Sequence, residues 1–289
     1  STFDFLTNKA DGHGNDWPIR YEDLAPWYEY VERFVGISGS SEYLPQLPDS
    51  VFQPPFEMTL PERDFSEKMR ELEPNKPVII SRCAHLTQPE KIQVDLGRMK
   101  CIARNECQKG CSLGAYFSTQ SATLPAAANT GNLYIAPNSV VESLIYDANT
   151  NRVRGVRVVD NETMLQREYF GKIIFLCAST LGTTQIMLNS QSRRFPNGIA
   201  NSSGVLGHYL MDHSYNAMVT ADIDGYEDEY YSGRRPASLY IPNWHYEPSR
   251  YHRDFKRGYA LAGSASRVDW QDMGVSDGFG TSFKAKLHN

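Results

Sequence analysis

Three apolar runs follow one another between Gly131 and Ser190: Leu133–Ile135 leading into Val140–Tyr146, then Val153–Val159, then Ile173–Ala178. The stretch Asp147-Ala148-Asn149-Thr150-Asn151 separates the first two and has the length and composition of a hairpin connection. Within the second run Val153, Gly155 with Val156, and Val158 follow strand spacing and predict a half-buried strand. The third, IIFLCA, is apolar without alternation and predicts a strand buried on both faces of a sheet. It ends in Ala178-Ser179-Thr180, then Gly182 and a helical pattern over Thr184–Leu188. A buried strand, a small-residue turn and a helix are the place at which an open α/β sheet receives a ligand.

Upstream, Pro26 opens a helix at a turn where its missing N–H costs nothing. Trp27, Tyr30, Val31 and Phe34 lie at helical spacing on one face, and Gly36 is a stop. Residues 41–80 are rich in proline and predict wrapping loops around one helix, Glu62–Glu73, with Phe65, Met69 and Leu72 on its apolar face, and a short strand at Val78–Ile80. A further helix starts near Thr119, with Ser118 or Thr119 as its cap, and ends at Ala126–Ala128. Arg193–Gly207 predicts a loop. Beyond it the pattern weakens, with many aromatics and antiparallel strands expected at Ala217–Ile223 and Ser238–Ile241. The elements add up to a mixed α/β and α+β chain.

Composition narrows the function classes. The 289 residues carry a net charge of −5, with 40% hydrophobic and 22% charged positions. That is a globular composition, and it holds no basic stripe to displace counterions from a nucleic acid. Apolar runs stay far below the length of a membrane span, and a soluble chain is expected, cytoplasmic or periplasmic. The 17 Tyr and 13 Phe favour a packed enzyme or a carbohydrate-handling surface.

Several familiar chemistries are missing. No G-x-S-x-G elbow or G-x-x-x-x-G-K-[ST] loop occurs. The glycines of Asp11-Gly12-His13-Gly14-Asn15 follow no strand and form no dinucleotide fingerprint. Cys101, Cys107 and Cys111 are spaced C-x5-C-x3-C. Zinc sites prefer C-x2-C pairs, and an iron–sulfur centre needs a fourth ligand, for which Cys83 is the one candidate. No metal is therefore assigned, and the thiols read as small packed side chains. Arg234-Arg235, between aromatics in YYSGRRPASLYIP, could orient a polar substrate or simply form a solvated turn.

Taken together, a set of phrases resembles one family, the glucose–methanol–choline (GMC) flavoprotein oxidoreductases, and within it the bacterial branch acting on sugars, polyols and sugar acids. The phrases are Asp16-Trp17-Pro18-Ile19 with Tyr21–Tyr28, Gly110–Ala115 with Ser118–Ala122, Gly131-Asn132-Leu133 with Asn138–Val141, Cys177–Ser190, and Gly207–His213. The likeness runs through residues 1–215 and more loosely to the end. It implies part of a Rossmann-like FAD domain with a β-meander and part of an antiparallel-sheet substrate domain. The expected division is residues 1–80 as cap helix and wrapping loops, 81–213 as FAD-domain portion, and 214–289 as partial substrate domain.

For the cofactor FAD, the resemblance implies Val140 and Val141 against the adenine and Ala178 and Ser179 on the adenosine or pyrophosphate side. Asp212 and His213 are further cofactor candidates, and Tyr231, Arg234, Arg235 and Tyr240 are candidates for the substrate. The implied reaction takes a hydride from a hydroxyl-bearing carbon of a carbohydrate or polyol and passes electrons to an unidentified acceptor. The family's G-x-G-x-x-G loop and its C-terminal catalytic histidine have no counterpart here. The chain is therefore expected to be the middle of such an enzyme, with no catalytic base of its own and inactive by itself. The alternatives are a non-catalytic carbohydrate-binding module and one piece of a multi-segment enzyme.

Overall fold

The computed structural model describes residues 2–104, 107–212, 217–226, 236–243, 245, 254, 258–265 and 279–287. They form helices and antiparallel sheets in two compact units, Ser1–Asn132 with Asp222–Asn289, and Leu133–Ala221.

The first unit opens with a 3-10 turn, Thr2–Phe5, and the helices α1 (Thr7–Asp11), α2 (Tyr21–Val35) and α3 (Leu60–Leu72). Strand β1 (Ile79–Ile80), helix α4 (Lys91–Val94), a π turn over Thr119–Thr123 and helix α5 (Leu124–Ala128) follow. Ser118 caps that last helical stretch as expected, its side chain accepting the Ser121 N–H. Gly36 stops α2 in the left-handed conformation as the sequence predicts. Pro26 does not open the helix: α2 begins five residues earlier at Tyr21, with Asp23 accepting the Arg20 N–H, and Pro26 lies inside it.

The buried face of α2 is not the predicted one. Trp27, Tyr30 and Val31 are 67%, 66% and 51% exposed. Val35 is buried instead, with Tyr21, Leu24, Ala25 and Glu32 half-buried. The end of α2 is held from outside: Gln93 Nε2 donates to Arg33 O (2.7 Å) and Arg98 Nη1 to Val35 O (2.7 Å). These side chains satisfy carbonyls that the helix itself leaves open. On α3 the expected apolar face is also largely open, with Phe65 45% and Leu72 74% exposed. Its anchor is polar: the buried Glu62 accepts the N–H groups of Thr59 (2.8 Å) and Ala265 (2.9 Å).

Strand β1 pairs antiparallel with β5 (Leu239–Ile241), which pairs with β6 (Leu261–Gly263). The predicted strands at 78–80 and 238–241 are therefore neighbours. Ile80, Ala237 and Leu239 form a small core under Phe56, Met58, Val78 and Cys83. Helix α7 (Thr281–Leu287) is the last described element of this unit.

The second unit is a meander of β2 (Ser139–Asp147), β3 (Arg152–Asp160) and β4 (Gln166–Phe170), with helix α6 (Ser179–Asn189) packed on β2. The hairpin forms where predicted. Asp147 accepts the Asn149 N–H and the Thr150 hydroxyl, and Asn151 adopts φ 55° to complete the turn, a conformation asparagine tolerates. A register shift between Val141 and Ser143 bulges β2. Ser190 at the end of α6 fills the gap, its hydroxyl accepting the Leu144 N–H (2.8 Å) and donating to Ile186 O (2.6 Å).

Two expectations fail in this unit. Ile173–Ala178 is not a strand and is not buried. Ile173 and Phe175 are 73% and 81% exposed, and among the described residues no strand stands beside the run. A continuous apolar run becomes a buried strand only where neighbouring strands take its backbone groups. Ala217–Ile223 likewise forms no strand, and Met218 and Val219 are 85% and 95% exposed. Leu133–Ile135 lies outside any strand as well, and all three residues are exposed.

Candidate functional site

The small-residue turn before α6 has the features of a ligand-facing helix start. Ala178 is the N-cap residue and makes no side-chain capping bond. Ser179 enters the helix at φ 58°, an uncommon conformation for a side-chain-bearing residue. Ala178 through Leu181 are all exposed. Small, exposed residues around uncapped N–H groups suit the close approach of a polar or anionic group.

Val140 and Val141 lie on β2 opposite Val159 and Val158 of β3. Val140 is 55% exposed and Val141 half-buried, so Val140 offers an open apolar surface. Both precede the bulge to which the C-terminal end of α6 is tied. Ala178 and Ser179 stand at the opposite end of that helix, about 15 Å along its axis, and no hydrogen bond joins them to the valines. The two pairs thus share one unit. Asp212 is exposed at the end of the Gly207–Asp212 stretch of the same unit. His213 lies outside the described residues, as do Tyr231, Arg234 and Arg235. Tyr240 is half-buried in the first unit, at the centre of β5 between Ile79 and Ala262. Burial, with a smaller contribution from Asp4, raises its phenol above the usual tyrosine range.

The cysteine segment brings together groups whose sequence spacing did not predict contact. His85, Cys101, Cys107, Cys111, Leu113 and Ala115 line a small cavity of the first unit. His85 Nε2 lies 3.4 Å from Cys107 Sγ, and its ring stacks on Tyr116 with centroids 4.5 Å apart. Burial lowers the His85 pKa to about 4 and raises the thiols of Cys83 and Cys107. Burial also pushes Cys111 up, but the N–H groups of Tyr116, Leu113 and Ala115 and the charge of Arg104 outweigh it, so its net shift is downward. A neutral imidazole beside a protonated Cys107 is packing rather than an activated pair. Among the described residues no group of three or more His, Cys, Asp or Glu side chains is arranged to hold a metal ion. Gly110, Cys111, Ser112, Gly114, Ser118 and Ser121 border a further cavity of about 620 Å³ with a mixed polar and apolar lining.

Comparison with known proteins decides the family. The sequence model of GMC oxidoreductases matches residues 10–215. The chain belongs to the GMC oxidoreductase family. The match is to that family's N-terminal domain, the part of the family that binds FAD. It is 28% identical over 281 residues to 2-methyl-1,2-propanediol dehydrogenase of Mycolicibacterium austroafricanum, covering 93% of this chain and 45% of that protein. It is 30% identical over 218 residues to the fructose dehydrogenase large subunit of Gluconobacter japonicus, covering 73% of this chain and 37% of that protein. The chain thus spans less than half the length of these GMC relatives. The phrases quoted from its sequence fall within the matched region, and the helix, meander and helix they contain are those of the structure. No helix among the described residues is long and apolar enough to cross a membrane.

Proposed function

We propose that the protein of which these residues form part is an FAD-dependent dehydrogenase or oxidase acting on a hydroxyl of a sugar, polyol or sugar acid. The family match over residues 10–215 carries this reading. The substrate class draws on two relatives, one named for a diol and one for a sugar. In this reading residues 81–213 serve the cofactor, and 1–80 with 214–289 serve the substrate, a division by role rather than by compactness.

The residues fit the adenosine side of FAD. Val140 supplies an exposed apolar surface for the adenine, and backbone groups of Val141 face its edge. Ala178 and Ser179 admit a phosphate or ribose oxygen to the uncapped start of α6, where the N–H groups and the helix dipole favour negative charge. Asp212 and His213 complete the cofactor side. Bound flavin would accept the hydride in this chemistry. Tyr240, a phenol that is protonated at neutral pH, would donate a hydrogen bond to a substrate oxygen, with Tyr231, Arg234 and Arg235 as further polar contacts. The base that takes the hydroxyl proton is assigned to no residue of this chain.

The test is flavin retention by the full-length gene product. Purified protein should show a stoichiometric flavin spectrum and reduce a dye with a sugar or polyol as donor. Ala178→Glu, which puts bulk and charge at the start of α6, should lose flavin while the far-ultraviolet circular dichroism is kept. Full flavin occupancy in that variant would remove Ala178 from the site.

A further inference from the structure

Two cavities of the first unit meet at the same pair of sulfur-bearing residues. Cys107 and Cys111 line the small cavity beside His85 and also border the one of about 620 Å³. Both are free, half-buried thiols. The larger cavity has many times the volume of a water-sized molecule, so a small oxidant can reach them.

The two thiols have opposite surroundings. Cys111 heads a loop that turns back at Gly114 (φ 60°), where the Gly114 N–H bonds Cys111 O (2.9 Å). Burial disfavours the Cys111 thiolate, but the N–H groups of Tyr116, Leu113 and Ala115 face the sulfur, Arg104 adds positive charge, and together they outweigh it. The Arg104 guanidinium is bonded to Ser112 Oγ (2.8 Å) in the same loop. Backbone N–H groups and a cation gathered around one sulfur are the setting of a reactive thiolate. Cys107 is held as a thiol instead: burial raises it, and the neighbouring Cys101 and Cys111 sulfurs add to the effect. A reactive sulfur next to a protonated one is the arrangement of an attacking and a resolving cysteine. Between them lies Gly110 at φ 98°, where an added carbon meets no described atom within 4 Å. The backbone there has both the freedom and the space to bring the sulfurs to bonding distance.

We propose that Cys111 and Cys107 are a peroxide-sensitive pair, in which Cys111 is oxidised first and Cys107 closes a disulfide on it. The Cys111 thiolate bonds one oxygen of hydrogen peroxide and the O–O bond breaks. The other oxygen leaves as hydroxide and takes up a proton, giving water and a sulfenic acid. The Cys107 sulfur then displaces the sulfenic hydroxyl, which leaves as water with the Cys107 proton. Two thiols and one peroxide thus become one disulfide and two waters. A thiol reductant reverses the bond. The disulfide takes Cys111 out of the loop whose Gly114 and Ala115 carbonyls Arg98 holds.

The chain carries its own means of reading the bond, because trypsin cleaves after Lys100, Arg104, Lys109 and Arg152 and so separates the cysteines. The full-length gene product is treated with hydrogen peroxide, blocked with iodoacetamide and digested without reduction. Mass spectrometry should find residues 105–109 joined to residues 110–152, and dithiothreitol should part them. Cys111 should be oxidised on the order of tenfold faster than the exposed Cys177 of the same chain. Cys107→Ser should stop the reaction at the sulfenic acid, which dimedone labels at Cys111; if that variant fails to fold, the peptide map of the unsubstituted protein decides. A join between residues 101–104 and 105–109 overturns the proposal, since Cys101 would then be the partner of Cys107. Oxidation of Cys111 no faster than that of Cys177 overturns it as well. So does iron retained through purification that shields Cys101, Cys107 and Cys111 from alkylation, which would make the thiols ligands.

Discussion

The Nε2 atom of His85 stands 3.4 Å from Sγ of Cys107 across 22 positions of sequence. The histidine is 7% exposed, and its buried Nδ1 has no hydrogen-bond partner among the described residues. Burial holds the ring neutral with its pKa at about 4, against 6.5 for a free imidazole. Between these values the unfolded chain binds a proton that the folded chain refuses. The contribution to stability is complete above about pH 6.5 and is lost as pH falls toward 4, by on the order of 3 kcal/mol. Urea unfolding at pH 7 and at pH 4.5 should show this loss. His85→Phe keeps the stack on Tyr116 and should flatten the acid limb of the curve. An unchanged pH dependence in that variant would assign the limb to other groups.

Ser190 holds α6 to the bulge in β2. Its side chain is buried, accepts the Leu144 N–H and donates to Ile186 O. Ser190→Ala leaves that buried N–H without an acceptor, at a cost of about 1–3 kcal/mol. Hydrogen exchange should show faster opening of α6 and of Leu144–Ile145, while the β3–β4 ladder changes little. Equal acceleration across both strand pairs would mean that the serine supports the whole unit instead of one joint.

Legibility followed the range of the forces involved. The β2–β3 hairpin was readable because its turn is settled within five residues, by Asp147 and Asn151. The Ser118 cap was readable for the same reason. On α2 periodicity located the helix but not its inner face. Trp27, Tyr30, Val31 and Phe34 form one apolar stripe, and Leu24, Ala25 and Val35 contribute to another. Gln93 and Arg98, some sixty residues away, bind the helix end and settle which side is covered. Ile173–Cys177 misled for a related reason: its composition reports what the run can bury, and burial needs partner strands. The His85–Cys107 contact left no signal in spacing at all. At the candidate cofactor site the turn at Ala178–Ser179 was legible from its small residues.

Gly198 tests how closely the loop after α6 must approach that helix. It sits at φ 97°, and an added Cβ would lie 2.8 Å from Leu188 Cα and 2.8 Å from Met187 O. The next residue, Ile199, donates its N–H to the same Met187 O (3.0 Å), so the loop cannot withdraw without breaking that bond. Gly198→Ala meets both an unfavourable backbone conformation and a clash with main-chain atoms, and should cost about 2–4 kcal/mol. Gly204→Ala is the matched control, since it has φ 72° but nothing within 4 Å of the added carbon. The two variants compared by urea denaturation separate strain from contact. Equal losses would show that the close approach contributes nothing.

Arg98 makes the sharpest case for side-chain geometry over charge. It is 1% exposed, and its guanidinium donates to Val35 O (2.7 Å), Gly114 O (2.8 Å) and Ala115 O (3.4 Å). The fork thus ties the end of α2 to the loop that carries Cys111. Val35 O lies in the last turn of α2, where a cation also meets the negative end of the helix dipole. Burial lowers the arginine pKa, yet a guanidinium stays charged at any pH the fold survives. Lysine keeps the charge but offers one nitrogen, which cannot reach three carbonyls in different directions. Arg98→Lys should therefore cost about 3 kcal/mol, read by urea denaturation. It should also change the rate at which Cys111 reacts with a maleimide, because the loop that supplies the thiol's N–H donors is released. A lysine variant as stable as the parent would mean that charge at the helix end is enough and that the three-carbonyl fork is dispensable.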